Sequence, residues 1–115
     1  MQTIKAIFID PDTATTSIVN LDTKDNDIDL DVCYKLLDCD LVEFVYFGQR
    51  EILILDEEGL LKQKKVFQLK GVGQQYFCGK ALIVKEEGEN CTSLDEDRIE
   101  IIRKLISYPE AQEDN

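Results

Sequence analysis

Apolar and polar positions along this chain follow a period of two more often than one of 3.6. In Thr3–Ile9, Ile4, Ala6 and Phe8 fall on one side and Ile7 and Ile9 on the other. That pattern predicts a strand covered on both faces. Asp10-Pro11-Asp12-Thr13 is a turn, its proline presetting φ at the second position. Thr15–Leu21, rich in β-branched residues, reads as the returning strand of a hairpin. Leu41–Phe47 and Glu51–Leu55 form a second strand pair around Gly48-Gln49-Arg50, and Asp56-Glu57-Glu58-Gly59 is a tight acidic turn. Val66–Leu69 reads as a short strand and Gly71–Gln75 as a loop. Gly79–Glu86, with Leu82, Ile83 and Val84 apolar in succession, reads as a buried central strand.

Two segments carry helical spacing. Asp25, Asp27, Asp29 and Asp31 alternate with Ile28, Leu30 and Val32 as a strand would, yet Ile28, Val32, Cys33, Leu36 and Leu37 fall on one helical face. Aspartate is disfavoured in strands and suits a helix cap and first turn, so a helix is predicted over Ile28–Asp38. Ser93 with Glu96 spells a Ser-x-x-Glu capping box. It opens a second helix near Leu94–Ser107, with Ile99, Ile102, Leu105 and Ile106 as its inner stripe and Pro109 as its stop. The expected architecture is a single α+β domain over residues 1–108. A largely antiparallel sheet of about five to six strands carries two helices, and a disordered acidic tail follows over residues 109–115.

Composition narrows the chemistry. The chain has 115 residues, 13 basic and 24 acidic, for a formal charge of −11, and no histidine. Ser-His-Asp and Cys-His catalysis therefore cannot be assembled within it, and no carboxylate motif of a hydrolase is recognisable, so no enzymatic activity is expected. No run approaches the roughly 18 apolar residues that cross a membrane. The apolar N-terminal stretch is also too short for a signal peptide, so a cytoplasmic location is expected. Cys33, Cys39, Cys78 and Cys91 are then reduced thiols, and without a CxxC pair neither a disulfide, a structural zinc nor any other cofactor is expected. Asp25-x-Asp27-x-Asp29 is no calcium loop, because Leu30 takes the EF-hand glycine position and Leu36 the bidentate glutamate position.

Charge is unevenly spread. Residues 1–58 carry a net −10 and residues 86–115 a net −7, while residues 59–85 hold six lysines and no acid. Two binding chemistries follow. An acidic face from Asp22 to Asp40, centred on Asp25, Asp27, Asp29 and Asp31, has enough charge to attract a basic partner protein. Alternatively, the amides of Gly71 and Gly73 with Lys70 or Lys80 hold a phosphate, and Tyr76 stacks on a base, as in capture of a nucleotide or similar anion. Both features also have plain readings: lysines paired with nearby carboxylates or guarding an edge strand, and acids that only solvate a surface. Direct binding of duplex DNA is disfavoured by the net charge.

Several segments, in order, resemble one family: Ile7-Phe8-Ile9-Asp10-Pro11, Tyr34-Lys35-Leu36-Leu37-Asp38-Cys39, Asp56-Glu57-Glu58-Gly59-Leu60-Leu61-Lys62, Phe67-Gln68-Leu69-Lys70-Gly71 and Gly79-Lys80-Ala81-Leu82-Ile83-Val84. It is an uncharacterised domain-of-unknown-function family of small proteins encoded by bacteriophages and other mobile elements, and the resemblance covers about residues 4–94. Where that family often has proline after the glycine, this chain has Val72-Gly73-Gln74-Gln75. The family carries no established catalytic residues, so the resemblance implies no site. It implies a phage or prophage origin and a role in the cytoplasm of the infected bacterium. The function expected is that of a non-enzymatic accessory protein that binds a host protein, a defence or nucleic-acid-handling factor, through its acidic surface. The alternative is a small-ligand binder capturing an anion near Lys70 and Lys80.

Overall fold

A computed structural model describes residues 3–25, 27–72 and 76–109. In chain order its elements are β1 (Thr3–Asp10), β2 (Thr15–Lys24), β3 (Asp27–Ile28), α1 (Leu30–Leu37), β4 (Val42–Phe47), β5 (Glu51–Asp56), β6 (Val66–Leu69), β7 (Tyr76–Cys78), β8 (Ala81–Glu87), β9 (Asn90–Thr92), α2 (Glu96–Arg103) and β10 (Ile106–Ser107). The main sheet runs β3-β2-β1-β8-β5-β4, with β9 also paired to β8, and a smaller sheet runs β10-β6-β7. Every pairing is antiparallel.

The strands that are apolar in consecutive positions sit in the middle. Side chains alternate across a sheet, so a strand buried on both faces needs apolar residues at every position. Ile4 and Ala6 of β1, Ile52 and Ile54 of β5, and Leu82 and Val84 of β8 join Cys33 and Leu37 of α1 in one core. Ile7 and Ile9, Leu53 and Leu55, and Ala81 and Ile83 face the opposite way. They pack with Phe67, Leu69 and Phe77 of the small sheet and Ile99 and Ile102 of α2. The main sheet is therefore a middle layer, with α1 on one face and α2 plus the small sheet on the other.

The α+β class and both helices stand, but their boundaries move for local reasons. The first helix begins at Leu30, not Ile28, because Ile28 and Asp27 pair with Thr23 and Lys24, leaving Asp29 as the cap that accepts from the Asp31 N–H. The second helix spans only Glu96–Arg103. Ser93 is not its cap: its Oγ accepts from the Lys5 N–H at 2.8 Å, and the Leu94 N–H donates to the Lys5 carbonyl at 3.0 Å. Both residues thus extend the pairing of β1. Asp95 holds the cap position, with its carboxylate directed to Lys85 Nζ at 3.1 Å. Ile106 and Ser107 leave the helical path to pair with Leu69 and Gln68. The predicted tail falls on residues 110–115, outside the described residues, apart from Pro109.

A buried carboxylate closes each end of β5. Glu51 and Asp56 are 1% and 2% exposed. Arg98 of α2 grips Glu51 with both arms of its guanidinium, Nη2 at 2.7 Å from Oε1 and Nε at 3.3 Å from Oε2. The Gln49 N–H donates to the same Oε1 at 2.9 Å. Gly48 makes this turn at φ +60°, and a Cβ there would meet Glu51 Oε1 at 2.4 Å, so a side chain at this position is strained and must push the carboxylate out of place. Removing one partner of a buried pair strands a charge in the interior. Arg98→Ala should therefore cost about 3–5 kcal/mol in urea denaturation. Adding Glu51→Gln, which keeps an acceptor for the Gln49 N–H but no charge, should restore part of that loss.

Candidate functional site

The lysine-rich stretch is partly an internal counter-charge. Lys62 and Lys64 place their ammonium groups 3.0 and 2.8 Å from Asp56 Oδ2. Lys64 also donates to the carbonyls of Leu37 and Asp38, at 3.3 and 3.1 Å, where α1 ends in a left-handed residue. One ammonium thus serves the end of β5 and the negative end of the helix dipole together. Burial alone would push the Asp56 carboxyl up. Hydrogen bonds from Lys64, the Glu58 N–H and Lys62 outweigh it and hold the carboxyl below its usual range. Lys85 pairs with Asp95.

The members of the expected anion site are divided between two ends of the small sheet. Tyr76 is exposed and pairs with Gln68, so Lys70 and Gly71, just beyond β6, lie at the same end. Gly79 and Lys80 follow the other end of β7, where the Gly79 N–H donates to the Lys65 carbonyl at 2.7 Å. Lys80 lines a cavity of about 210 Å³ with Asp12, Asp38 and Lys64. Gly73 lies outside the described residues.

The acidic segment is brought together. Asp25 turns the chain at φ +55° and is exposed. Asp27 Oδ1 accepts from its neighbour's Ile28 N–H at 2.8 Å and from the Cys91 N–H at 2.7 Å, which ties β3 to β9. Asp29 caps α1, and Asp31 stands exposed in its first turn. All four line one open cavity of about 430 Å³. Beside it lies a second, of about 240 Å³, walled by Ile28, Leu30, Phe44, Tyr46 and Ile52 and rimmed by Asp27, Glu86 and Glu89. Leu30, Phe44 and Tyr46 are 41%, 42% and 62% exposed. This apolar cleft escapes sequence reasoning because its walls come from β3, α1, β4 and β5. The available signal was the apolar row Val42, Phe44 and Tyr46 on a strand that turns out to lie at the edge of the sheet.

Two thiols near these features are chemically quiet. Burial, with Asp27 beside it, pushes Cys91 up to about 12, and burial with Asp29 pushes Cys33 up to about 11. Both stay protonated at neutral pH and are poor nucleophiles. Among the described residues no group of three cysteine, aspartate or glutamate side chains converges as metal ligands would. No helix among them is long and apolar enough to cross a membrane.

These features define an antiparallel α+β domain that presents an apolar cleft within an acidic surface. The chain belongs to the family described as a domain of unknown function, DUF3846, which matches residues 4–107, from β1 to β10. No characterised protein and no solved structure gives a significant match.

The Asp56 cluster carries a pH signature. A carboxyl depressed in the folded state stabilises the fold above its unfolded value near 3.8, and that contribution is lost as pH falls through the folded value. Lys64→Met should therefore be less stable than the parent at neutral pH. The gap between them should narrow below pH 3.8 in circular-dichroism titrations.

Proposed function

We propose that the protein is a non-enzymatic accessory protein that binds a basic partner through the surface formed by Asp25, Asp27, Asp29 and Asp31. One observation carries this reading. Among the described residues these four carboxylates, with Glu86 and Glu89, form no salt bridge and converge on two cavities that share Asp27, Ile28 and Leu30. Four aspartates outnumber Lys24, the one cation lining the larger of these cavities, and an excess of negative charge beside an apolar cleft attracts a basic protein at long range and gives it a surface to bury on arrival. The sequence resemblance supplies the proposed setting: a phage or mobile-element protein in the bacterial cytoplasm, acting on a host defence or nucleic-acid-handling factor.

The test is capture from a bacterial lysate on the immobilised protein, then association kinetics with the purified partner. Asn at positions 25, 27, 29 and 31 keeps a side-chain acceptor for the bonds that Asp27 and Asp29 make, so the fold should survive. The variant Asp25→Asn/Asp27→Asn/Asp29→Asn/Asp31→Asn should associate on the order of tenfold more slowly, with a flatter salt dependence. An unchanged rate in that variant, with binding lost in Lys70→Ala and Lys80→Ala, would overturn the reading in favour of anion capture. A nucleotide that raises the melting temperature while no partner is captured would do the same.

A further inference from the structure

Strand β4 is a terminal strand of the main sheet, and among the described residues no strand pairs with its outer side. Which of its main-chain groups point outward follows from one hydrogen bond. The Glu57 N–H donates to the Leu41 carbonyl at 3.1 Å. With Val42 opposite Asp56, Leu41 lies opposite Glu57, so the bonded positions recur at Glu43, Val45 and Phe47. The neighbouring ladder agrees. The Glu86 N–H donates to the Arg50 carbonyl at 2.7 Å, which directs Ile52 and Ile54 to β8 and leaves Glu51, Leu53 and Leu55 for β4. Val42, Phe44 and Tyr46 therefore direct their N–H and C=O groups away from the sheet.

Sheet edges are usually blunted by lysine, proline, a bulge or a covering segment. The far edge of this sheet is blunted: β3 pairs with Thr23 and Lys24 at one end of β2, and the Tyr108 hydroxyl donates to the Thr15 carbonyl at the other. In β4 the one charged residue is Glu43, and there is no lysine or proline. The same residues that offer free backbone, Phe44 and Tyr46, wall the apolar cleft on the α1 face. On the opposite face Glu43 and Glu57, both exposed, stand beside Leu60 and Tyr76 around a cavity of about 160 Å³.

We propose that the open edge of β4 takes up an extended segment of a partner protein as an added strand, one that alternates apolar and basic residues. Its apolar side chains enter the cleft over Phe44 and Tyr46, and its lysines or arginines reach Glu43 and Glu57 on the other face. Successive side chains of a strand point to opposite faces, so a single period-two segment meets both demands. A second copy of this chain is the wrong occupant, because each copy carries −11 and offers no lysine on its own β4 to meet Glu43. The inference rests on the reading of the protein as a binder of a basic partner and adds where and in what conformation that partner docks.

The probe is a fluorescein-labelled peptide of alternating valine and lysine, with an alternating valine–glutamate peptide as control. Fluorescence anisotropy reads affinity, and NMR hydrogen exchange reads the amides of Phe44 and Tyr46. The lysine peptide should bind, the glutamate peptide should not, and exchange at Phe44 and Tyr46 should slow in the complex. Phe44→Pro removes an outward N–H without touching the ladder to β5, while Phe44→Ala removes the ring and keeps the N–H. The proline variant should bind about tenfold more weakly than the alanine variant. Equal affinities of the two variants, unchanged exchange at both amides, or no binding of the lysine peptide would each overturn the edge proposal. If binding slows in the four-asparagine variant while both amides stay unprotected, the acidic-surface reading stands and the edge proposal falls. If binding ignores both sets of substitutions, both fall. A dimer in sedimentation equilibrium that Phe44→Pro dissociates would make the occupant a second copy and overturn the choice of partner.

Discussion

Six consecutive buried residues in β5, with a carboxylate at each end, constrain the rest of this structure more than any other feature. A buried carboxylate without a cation costs several kcal/mol, so the chain must return a positive group to each end. At Glu51 that group is Arg98, which fastens α2 against the β4–β5 turn. At Asp56 it is Lys62 and Lys64, from the turn that follows, and Lys64 carries the connection onward to the last carbonyls of α1. The two helices lie on opposite faces of the sheet, yet each is tied to the same strand by a charged contact at one end.

The sheet interior was legible in the sequence because double burial leaves a plain mark. Ile7, Ile9, Leu53, Leu55, Leu82 and Ile83 sit in runs that only a central strand tolerates. The short strands β3, β7, β9 and β10 left no such mark, since two or three residues cannot display a period. Ser93 shows how a correct local signal can lose to a distant partner. Its hydroxyl suited a helix cap, but the Lys5 backbone, 88 positions away, claimed it.

The candidate surface was half legible. The aspartates at 25, 27, 29 and 31 announced an acidic face, though Asp27 and Asp29 also hold the local backbone. In the lysine-rich stretch the plain reading holds for Lys62, Lys64 and Lys85, which pair with carboxylates, yet their partners were not legible. The boundary of that stretch after Glu58 separated Lys62 and Lys64 from Asp56, the carboxylate they neutralise, which lies six and eight positions earlier. A charge count along the chain divides what a turn brings back together.

The position of β8 has a consequence for biosynthesis. It is flanked by β1 and β5, so it joins the β1–β2 hairpin to the β4–β5 hairpin. Ile83 lies opposite Ile7 on one side and Leu53 on the other. As the chain leaves the ribosome from its N-terminal end, both hairpins emerge before the strand that unites them. Each then waits as a two-stranded ribbon with an apolar flank uncovered, a form that is marginal alone and prone to sticking. Residues 1–58, which contain both ribbons, carry a net charge of −10. Like charge on such ribbons opposes their association with one another before β8 covers them.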